Sequence, residues 1–553
     1  MSPNLSHFGE PVNPLPLVGA NRFGYSCRRP YDEITIALLP ASLPSFAQCL
    51  ALIKTRPLQT SAETLELARA YGAAADLYER HLVFFPGEAA SLRGLARCLL
   101  AAGQPGQALA VLSELPPGDK EKAANASLRG AAYGALGEAS LAESHHQQAQ
   151  AAAPDDAEIG CAFLRDAVFQ PGLGAAGLAE HAAALAAILP AKTLPPPEPL
   201  AAPPVNVGFL VSAIRDIRDL TVLETVAQAM DSRRVKSTFY GYRPAEDPIN
   251  AGLRHCAGQW RDISECDPFT LAAIIEGDGI DVLIDIGGHG APNHLAALAL
   301  RPAPWQASWL GNPGDLGLAQ IDADFVDPHE TGGEAGRAGT RRLPLPHGAY
   351  CREQAPPRRR APSRRQGAVA FGADIAVPQV HPELLMAWSA ILEAVPGAIL
   401  VLRDRNFLQA GLIEPLSSRF QLAGIADRID VISGEPQAFY DQVDVMLAPF
   451  VEINPHDTIE ALAQGVPVLA LAGEGRHRRQ SAALLRRNGL GALVAEREPD
   501  YIAAAVRLGL SAEARAAAGA LVATALADAP VFKPAQVAAG IEAAILALAG
   551  LES

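Results

Sequence analysis

The sequence is poor in cysteine and in aromatic residues, and it has no long uninterrupted apolar run. It has only seven cysteines in 553 residues, none in a C-x-x-C pair and none clustered with histidine at zinc-site spacing. This argues against a disulfide-rich secreted domain or a structural zinc module, and it indicates a reducing compartment. The apolar stretch 384–402 is interrupted by Glu393 and Pro396, so we expect no transmembrane helix.

Positive charge is also scarce. The chain has 45 Lys and Arg against 60 Asp and Glu, a net charge of −15. A general nucleic-acid binder would be basic, so that class is disfavoured. The first thirty residues show no basic-then-apolar signal pattern, and we expect a cytoplasmic protein. The oligomeric state cannot be derived from the sequence.

The region 61–191 is rich in Ala and Leu with helical periodicity, and it contains an internal repeat. Gly103 and Gly137 lie 34 residues apart, as do Ala74, Ala108 and Ala142. A 34-residue helix–turn–helix unit has the tetratricopeptide period, and such arrays hold proteins or peptides in their concave face. The alternative is a generic helical bundle.

Composition changes then divide the chain further. Residues 1–60 form an irregular, Pro-rich lead-in, and residues 192–204, KTLPPPEPLAAPP, form a stiff linker. Apolar strands alternate with helices through 205–365 and again through 366–553. This alternation predicts two Rossmann-like α/β lobes with parallel sheets, the second carrying the C-terminal helices, and a cleft between them.

The segment 454–465, NPHDTIEALAQG, predicts a helix at the end of a strand. Asn454 suits the N-cap, Pro455 the first helical position, and Asp457 the first turn. Backbone N–H groups at a helix start bind anions, so we predict a nucleotide phosphate here, with Glu460 accepting from ribose hydroxyls. The alternative is an ordinary capped helix.

Other polar side chains follow predicted strands. His289 comes after two glycines at a strand end and can act as a base, although it could be structural. Arg403 ends another strand and suits phosphate, or a surface ion pair. The run 207–220, VGFLVSAIRDIRDL, passes from a strand into a charged loop that lines the cleft or is a solvated turn.

The stretch 300–317, LRPAPWQASWLGNPGDLG, combines prolines, tryptophans and a Gly-Asn-Pro-Gly turn. Its prolines forbid a helix interior, and its aromatic centre suits a short buried strand. We therefore predict a strand end whose loop, GNPGDLG, enters the cleft between the lobes.

Together these stretches resemble glycosyltransferase family 41, the tetratricopeptide-linked protein O-glycosyltransferases such as O-GlcNAc transferase and SPINDLY-like enzymes. The match lies in LRPAPWQASWLGNPGDLG, DIGGHGAPN, HPELLMAWSAILEAVPGAILVLR and HDTIEALAQGVPVLALAGEGRHRRQSAA. The resemblance covers roughly residues 60–550. It implies the GT-B fold, in which two Rossmann-like lobes follow the helical repeats.

The resemblance also implies roles for particular residues. On the nucleotide-sugar side, the implied donor-binding residues are Arg403, His456, Asp457, Thr458, Glu460 and Arg479. The implied acceptor-side loop residues are Gln306, Gly311, Asn312, Pro313 and Gly314. His289 matches a strand-end histidine of some members and is the candidate catalytic base.

The chain departs from the family pattern at several of these positions. Ile217 replaces a histidine, Gln379 a lysine and His381 an aspartate. Asp457 replaces a threonine and Asn312 a tyrosine. Losing a lysine and gaining a carboxylate both weaken the binding of a diphosphate.

The resulting hypothesis is an inverting transferase that moves a sugar from a nucleotide sugar to Ser or Thr of a protein held by the repeats. UDP-GlcNAc is the expected donor, a CMP-linked sugar is an alternative, and a bacterial flagellin is a candidate acceptor. No metal is required. The rival hypothesis is a catalytically eroded scaffold that holds a partner through its repeats.

Overall fold

The computed structural model describes residues 57–551, except 68–69, 117, 171, 194–196, 212–216, 242–250, 257, 265, 291–292, 312–313, 333–339, 353–367, 404–411 and 452–454. Nearly all of the predicted lead-in, with Asn312, Pro313 and Asn454, lies outside these residues. In the described part, none of the helices is both long and apolar enough to cross a membrane.

The described part of the chain begins with helices that pack against their neighbours in sequence. The helices are α1 (Pro57–Leu67), α2 (Tyr71–Phe84), α3 (Ala89–Ala101), α4 (Pro105–Ser113), α5 (Lys122–Ala135), α6 (Ala139–Ala152), α7 (Ala157–Ala167) and α8 (Ala175–Ala187). The predicted 34-residue period is visible in the packing, because Ala74, Ala108 and Ala142 are each at most 1% exposed. Gly103 and Gly137 both turn with positive φ, at 73° and 69°.

In its described residues, the first lobe contains seven parallel strands. Its elements are β1 (Val205–Val211), α9 (Ile217–Ala229), β2 (Val235–Gly241), α10 (Ala251–Cys256), β3 (Gln259–Asp262), α11 (Pro268–Gly277), β4 (Val282–Asp285), α12 (Leu295–Ala299), β5 (Trp305–Ser308), β6 (Ala323–Val326) and β7 (Arg341–Pro344). The strand order β3-β2-β1-β4-β5-β6-β7 reverses between β1 and β4. In open parallel sheets, ligands bind at such a reversal, beyond the carboxyl ends of the strands.

The described part of the second lobe contains six parallel strands in the order β10-β9-β8-β11-β12-β13, which reverses between β8 and β11. Its elements are β8 (Ala370–Ala373), α13 (Pro382–Ala394), β9 (Ile399–Arg403), α14 (Ile413–Leu422), β10 (Ile429–Ile432), α15 (Pro436–Tyr440), β11 (Val445–Leu447), α16 (His456–Ala463), β12 (Val468–Leu471), α17 (Gln480–Arg487), β13 (Val494–Ala495), α18 (Glu498–Leu510), α19 (Ala512–Leu526) and α20 (Pro534–Leu548). Both predicted parallel sheets are therefore confirmed.

The sequence predicted that the C-terminal helices pack on the second lobe, which it placed at residues 366–553. The last of them, α20, packs on the first lobe instead. Helix α20 packs against α9 and β6 of the first lobe. Its Glu542 carboxylate accepts from the Asp231 backbone N–H at 3.0 Å and pairs with Arg234 at 2.7 Å. The chain thus crosses back and ties the two lobes together.

The repeats share a hydrophobic core with the first lobe, so the Pro-rich linker is not a free tether. Phe163 of α7 and Leu178 of α8 belong to the same buried cluster as Leu210 of β1 and Tyr240 of β2. The linker is held as well, because the Leu200 N–H donates to the Ala549 carbonyl at 2.9 Å. The repeat helices therefore have a fixed position beside the first lobe.

This docking predicts a strong effect of Gly317→Ala. Gly317 has φ +78°, and a Cβ there would lie 2.2 Å from the Ala182 carbonyl oxygen of α8. The change should lower the free energy of unfolding by about 2 kcal/mol or more. The control is Gly277→Ala, where a Cβ meets nothing within 4 Å. Chemical unfolding measures both, and equal effects would contradict the docking.

Candidate active site

The carboxyl ends of the two sheets meet across one cleft. Helix α9 follows β1 and helix α16 follows β11, so each helix begins at the point where its sheet reverses strand order. His456 Nε2 of α16 lies 2.8 Å from Asp219 Oδ1 of α9, and both residues are buried. Arg218 Nη1 donates to Asp457 Oδ1 at 2.7 Å. The two reversal points are thereby joined directly.

Helix α16 begins one residue later than the sequence indicated. Pro455 occupies the N-cap position and His456 is the first helical residue, so Asp457 lies second in the helix. Proline has no side-chain acceptor, and no side-chain hydrogen bond caps this helix. The Thr458 hydroxyl is instead hydrogen-bonded to the Ser481 hydroxyl, which joins α16 to the start of α17.

Three carboxylates on the second lobe are each paired with an arginine. Asp374 pairs with Arg403 at 2.8 Å, Asp457 with Arg218, and Glu460 with Arg352. They lie around the buried Tyr440 hydroxyl, whose pKa is raised first by burial and then by the charges of Asp374, Asp457 and Glu460. The structure thus brings together the predicted donor residues Arg403, Asp457 and Glu460.

Two of these arginines come from the first lobe. Arg218 is on α9, and Arg352 lies in the segment after β7. Local sequence patterns did not identify either partner, because they are separated from Asp457 and Glu460 by more than a hundred residues. The charged run 207–220 was the available signal for Arg218; within this run, Arg218 and Asp219 contact α16.

Gln379 and His381 add no positive charge to this region. The Gln379 amide donates to the Val451 carbonyl at 2.8 Å and accepts from the Ala376 N–H at 2.7 Å. Burial lowers the pKa of His381 to about 4, so its imidazole is neutral at pH 7. The lysine of the family pattern therefore has no cationic substitute at these two positions.

Further contacts between the lobes surround the cleft. Arg479, predicted to bind the donor, donates to the Thr331 carbonyl at 3.3 Å. Arg476 pairs with Glu330 at 3.3 Å, and Arg487 with Asp327 at 2.8 Å. A small pocket between the lobes is lined by residues that include Glu330, Tyr350, Pro455, Gln480 and Arg487. Among the described residues, no group of three or more His, Cys, Asp or Glu could hold a metal ion.

The predicted acceptor-side loop begins as expected but includes one wrong residue. Gln306 lies inside β5, fully buried, and its amide donates to the carbonyls of Leu298 and Gln320. It therefore supports the first lobe from within rather than lining the loop.

The loop itself packs closely against β4 and reaches the second lobe. Leu310 has φ +63°, a costly conformation for a residue with a side chain. A Cβ on Gly311 would lie 2.3 Å from the Ile286 carbonyl oxygen. The Gly314 carbonyl accepts from Arg476 of the second lobe at 3.4 Å. The described residues of this loop thus contact the first lobe through Gly311 and the second lobe through Gly314.

His289 lies in the turn after β4 and is 9% exposed. Asp285, at the end of β4, accepts from the Gly288 N–H at 2.8 Å and so fixes the backbone that precedes His289. Complete burial raises the pKa of Asp285 to about 6. Asp285 was not among the predicted site residues, although it lies only two residues before the Gly-Gly-His segment.

The raised pKa predicts a pH effect on stability. Above pH 6 the folded state must bury a charged Asp285 carboxylate. The free energy of unfolding should therefore fall by up to about 3 kcal/mol between pH 4 and 7, compared with a protein in which the pKa of this residue is not shifted. Asp285→Asn cannot titrate, so it should gain stability relative to the unaltered protein as pH rises through this range. Thermal unfolding of both proteins at pH 4.5 and 7.5 measures this effect. A stability difference between them that is the same at both pH values would contradict the raised pKa of Asp285.

Comparisons with known proteins agree with this architecture. The family model described as glycosyl transferase family 41 matches residues 206–331 and 362–541, and a tetratricopeptide-repeat model matches 66–132. An O-GlcNAc transferase mutant from Thermobaculum terrenum has the same fold, with a TM-score of 0.83 at 23% identity over 92% of this chain and 98% of that one.

Curated relatives are also similar in sequence. A probable UDP-N-acetylglucosamine–peptide N-acetylglucosaminyltransferase, SPINDLY of Arabidopsis thaliana, is 28% identical over 61% of this chain and 37% of its own length. Its counterpart from Hordeum vulgare is 30% identical over 45% of this chain and 28% of its own length. The chain thus spans about a third of the length of these relatives.

Proposed function

The chain belongs to glycosyl transferase family 41, and we propose that it transfers N-acetylglucosamine, or a related sugar, from a UDP-linked donor to Ser or Thr hydroxyls of a protein. The observation that carries the proposal is the direct contact between α9 and α16 at the strand-order reversals of the two sheets. A cleft built this way has the form of a ligand site shared by two α/β lobes. The names of the relatives supply the proposed sugar and nucleotide.

The donor is assigned to the second lobe, with its phosphates at the start of α16. Free backbone N–H groups and the helix dipole favour an anion there. Arg403 and Glu460 lie in the same charged region, and Thr458 and Arg479 flank it on the α17 side. A ribose hydroxyl can donate to the Glu460 carboxylate, and arginine can bind phosphate.

The proposed reaction inverts the anomeric carbon in one displacement. His289 accepts the proton of the acceptor hydroxyl while the hydroxyl oxygen attacks the anomeric carbon from the face opposite the nucleotide. The bond between that carbon and the diphosphate oxygen breaks, and the diphosphate leaves with the electron pair. The helix dipole and nearby arginines stabilise this negative charge. The fixed turn Asp285–Gly288 supports a precise position for His289.

The repeats are proposed to hold the acceptor protein. Support comes from their position, because Ala182 of α8 contacts the loop after β5 at Gly317. A Cβ on Gly475, in the loop after β12, would lie 3.2 Å from Ala175 of the same helix. An acceptor protein held by the repeats would therefore lie beside the loop after β5 and the loop after β12. A flagellin acceptor, a CMP-linked donor and a cytoplasmic location remain predictions.

The test incubates the purified protein with radiolabelled UDP-GlcNAc, GDP-fucose or a CMP-linked nonulosonic acid and with candidate acceptor proteins, including flagellin. We expect label from UDP-GlcNAc on Ser or Thr, located by mass spectrometry. Nucleotide binding without transfer to any acceptor would favour the eroded scaffold. The absence of both binding and transfer would contradict the proposed function.

Substitutions in the two lobes should affect different parameters, kcat in the first lobe and the Kd for UDP in the second. We predict that His289→Ala lowers kcat about 100-fold or more while the Kd for UDP changes less than about twofold, because it removes a base but no donor contact. Glu460→Ala and Arg403→Ala should weaken UDP binding. Calorimetry measures the Kd values, and His255→Ala, an exposed histidine of the first lobe, is the control. If His289→Ala lost UDP binding and Glu460→Ala bound UDP as well as the unaltered protein, the assignment of the donor to the second lobe would be wrong.

A further inference from the structure

The start of α16 carries a carboxylate where a bound diphosphate would lie. Asp457 is the second residue of this helix, and its carboxylate accepts from the Arg218 guanidinium at 2.7 Å. The two side chains are 13% and 24% exposed, so solvent reaches the pair only partly. The pair also joins the lobes, because Arg218 lies on α9 and Asp457 on α16.

A carboxylate and a phosphate compete for the same surroundings. Both are stabilised by the backbone N–H groups of a helix start, and both accept from a guanidinium. Arginine binds phosphate through two parallel N–H donors, so a phosphate oxygen can replace Asp457 as the partner of Arg218. The guanidinium is then already positioned at the edge of the anion site.

Among the described residues, the position where the family pattern has a lysine adds no positive charge at this point. The Gln379 amide is hydrogen-bonded to the backbone of its own lobe on both sides, and His381 is neutral at pH 7. Arg403 is paired with the fully buried Asp374. A cation from the first lobe is therefore well suited to balance the charge of a diphosphate.

We propose that Arg218 of the first lobe binds the donor diphosphate, and that Asp457 holds this arginine at the start of α16 until a phosphate takes its place. The inference rests on the proposed function, since it assumes that the donor phosphates lie at α16. Donor binding then depends on both lobes, because the phosphate-binding cation and the helix start belong to different ones. Asp457 sets the affinity by competing for Arg218.

The test is a double-mutant cycle on the full chain, with UDP and uridine as probes in isothermal titration calorimetry. Arg218→Ala should weaken UDP binding about tenfold and leave uridine binding within about twofold, because the lost contact is to phosphate. Asp457→Thr should tighten UDP binding about tenfold. In the Asp457→Thr background, Arg218→Ala should cost more than in the unaltered protein, about 30-fold or more, because no carboxylate competes for the guanidinium.

The matched control is Arg234→Ala, which removes another ion pair that ties the lobes, with Glu542 of α20, at the amino end of β2 and away from the start of α16. It should change the Kd for UDP less than about twofold, so an equal loss in both arginine variants would assign the effect to lobe contact and overturn the proposal. Circular dichroism checks that each variant is folded, and Arg218→Lys, which keeps the charge, should restore part of the UDP affinity.

Two results separate the inference from the proposed function. If UDP binds and Arg218→Ala leaves its Kd unchanged in both backgrounds, Arg218 does not contact the phosphates and the inference fails alone. If neither the unaltered protein nor Asp457→Thr binds UDP, GDP or CMP, the donor assignment fails and the inference fails with it.

Discussion

The contact between α9 and α16 is the interaction on which the candidate site of this protein depends. It consists of two polar pairs side by side, Asp219 with His456 and Arg218 with Asp457. Because each helix starts at the strand-order reversal of its own sheet, these pairs bring the two regions with the best geometry for ligand binding face to face. Helix α20, which packs against α9, keeps the lobes in reach of each other.

Charge balance explains how this cleft accommodates substitutions that look unfavourable one at a time. An aspartate at a phosphate-binding helix repels a diphosphate if it stands alone. Here Asp457 is paired with Arg218, Glu460 with Arg352 and Asp374 with Arg403. The cleft is therefore close to neutral at these pairs, and its response to an anion depends on how readily the arginines exchange partners.

The fold was largely predictable from the sequence because it follows from local periodicity. Apolar runs gave most strands of both sheets, and the 34-residue spacing gave the repeats. Strand β3, with the sequence QWRD, is a polar edge strand, and β13 has only two residues, so neither has the apolar run that indicates a strand in the sequence. The packing of α20 on the first lobe was also missed, since an Ala-rich helix carries no signal for the surface it will contact.

The candidate site was predictable only in part, for a related reason. The positions of His456, Asp457, Thr458 and Glu460 on one helix follow from a short motif. Their partners do not, because Arg218 lies 239 residues before Asp457 in the chain. Gln306 was misassigned because a polar residue beside a loop motif looks functional, whereas its amide satisfies two buried carbonyls. Pairing across a cleft becomes visible only once both lobes are folded.

The most direct measurement is a crystal structure of the protein with UDP bound. The diphosphate should lie at the start of α16, with the Arg218 guanidinium within hydrogen-bonding distance of a phosphate oxygen and no longer paired with Asp457. A structure in which UDP binds elsewhere, or in which Arg218 stays on Asp457 while the phosphates contact other residues, would contradict it.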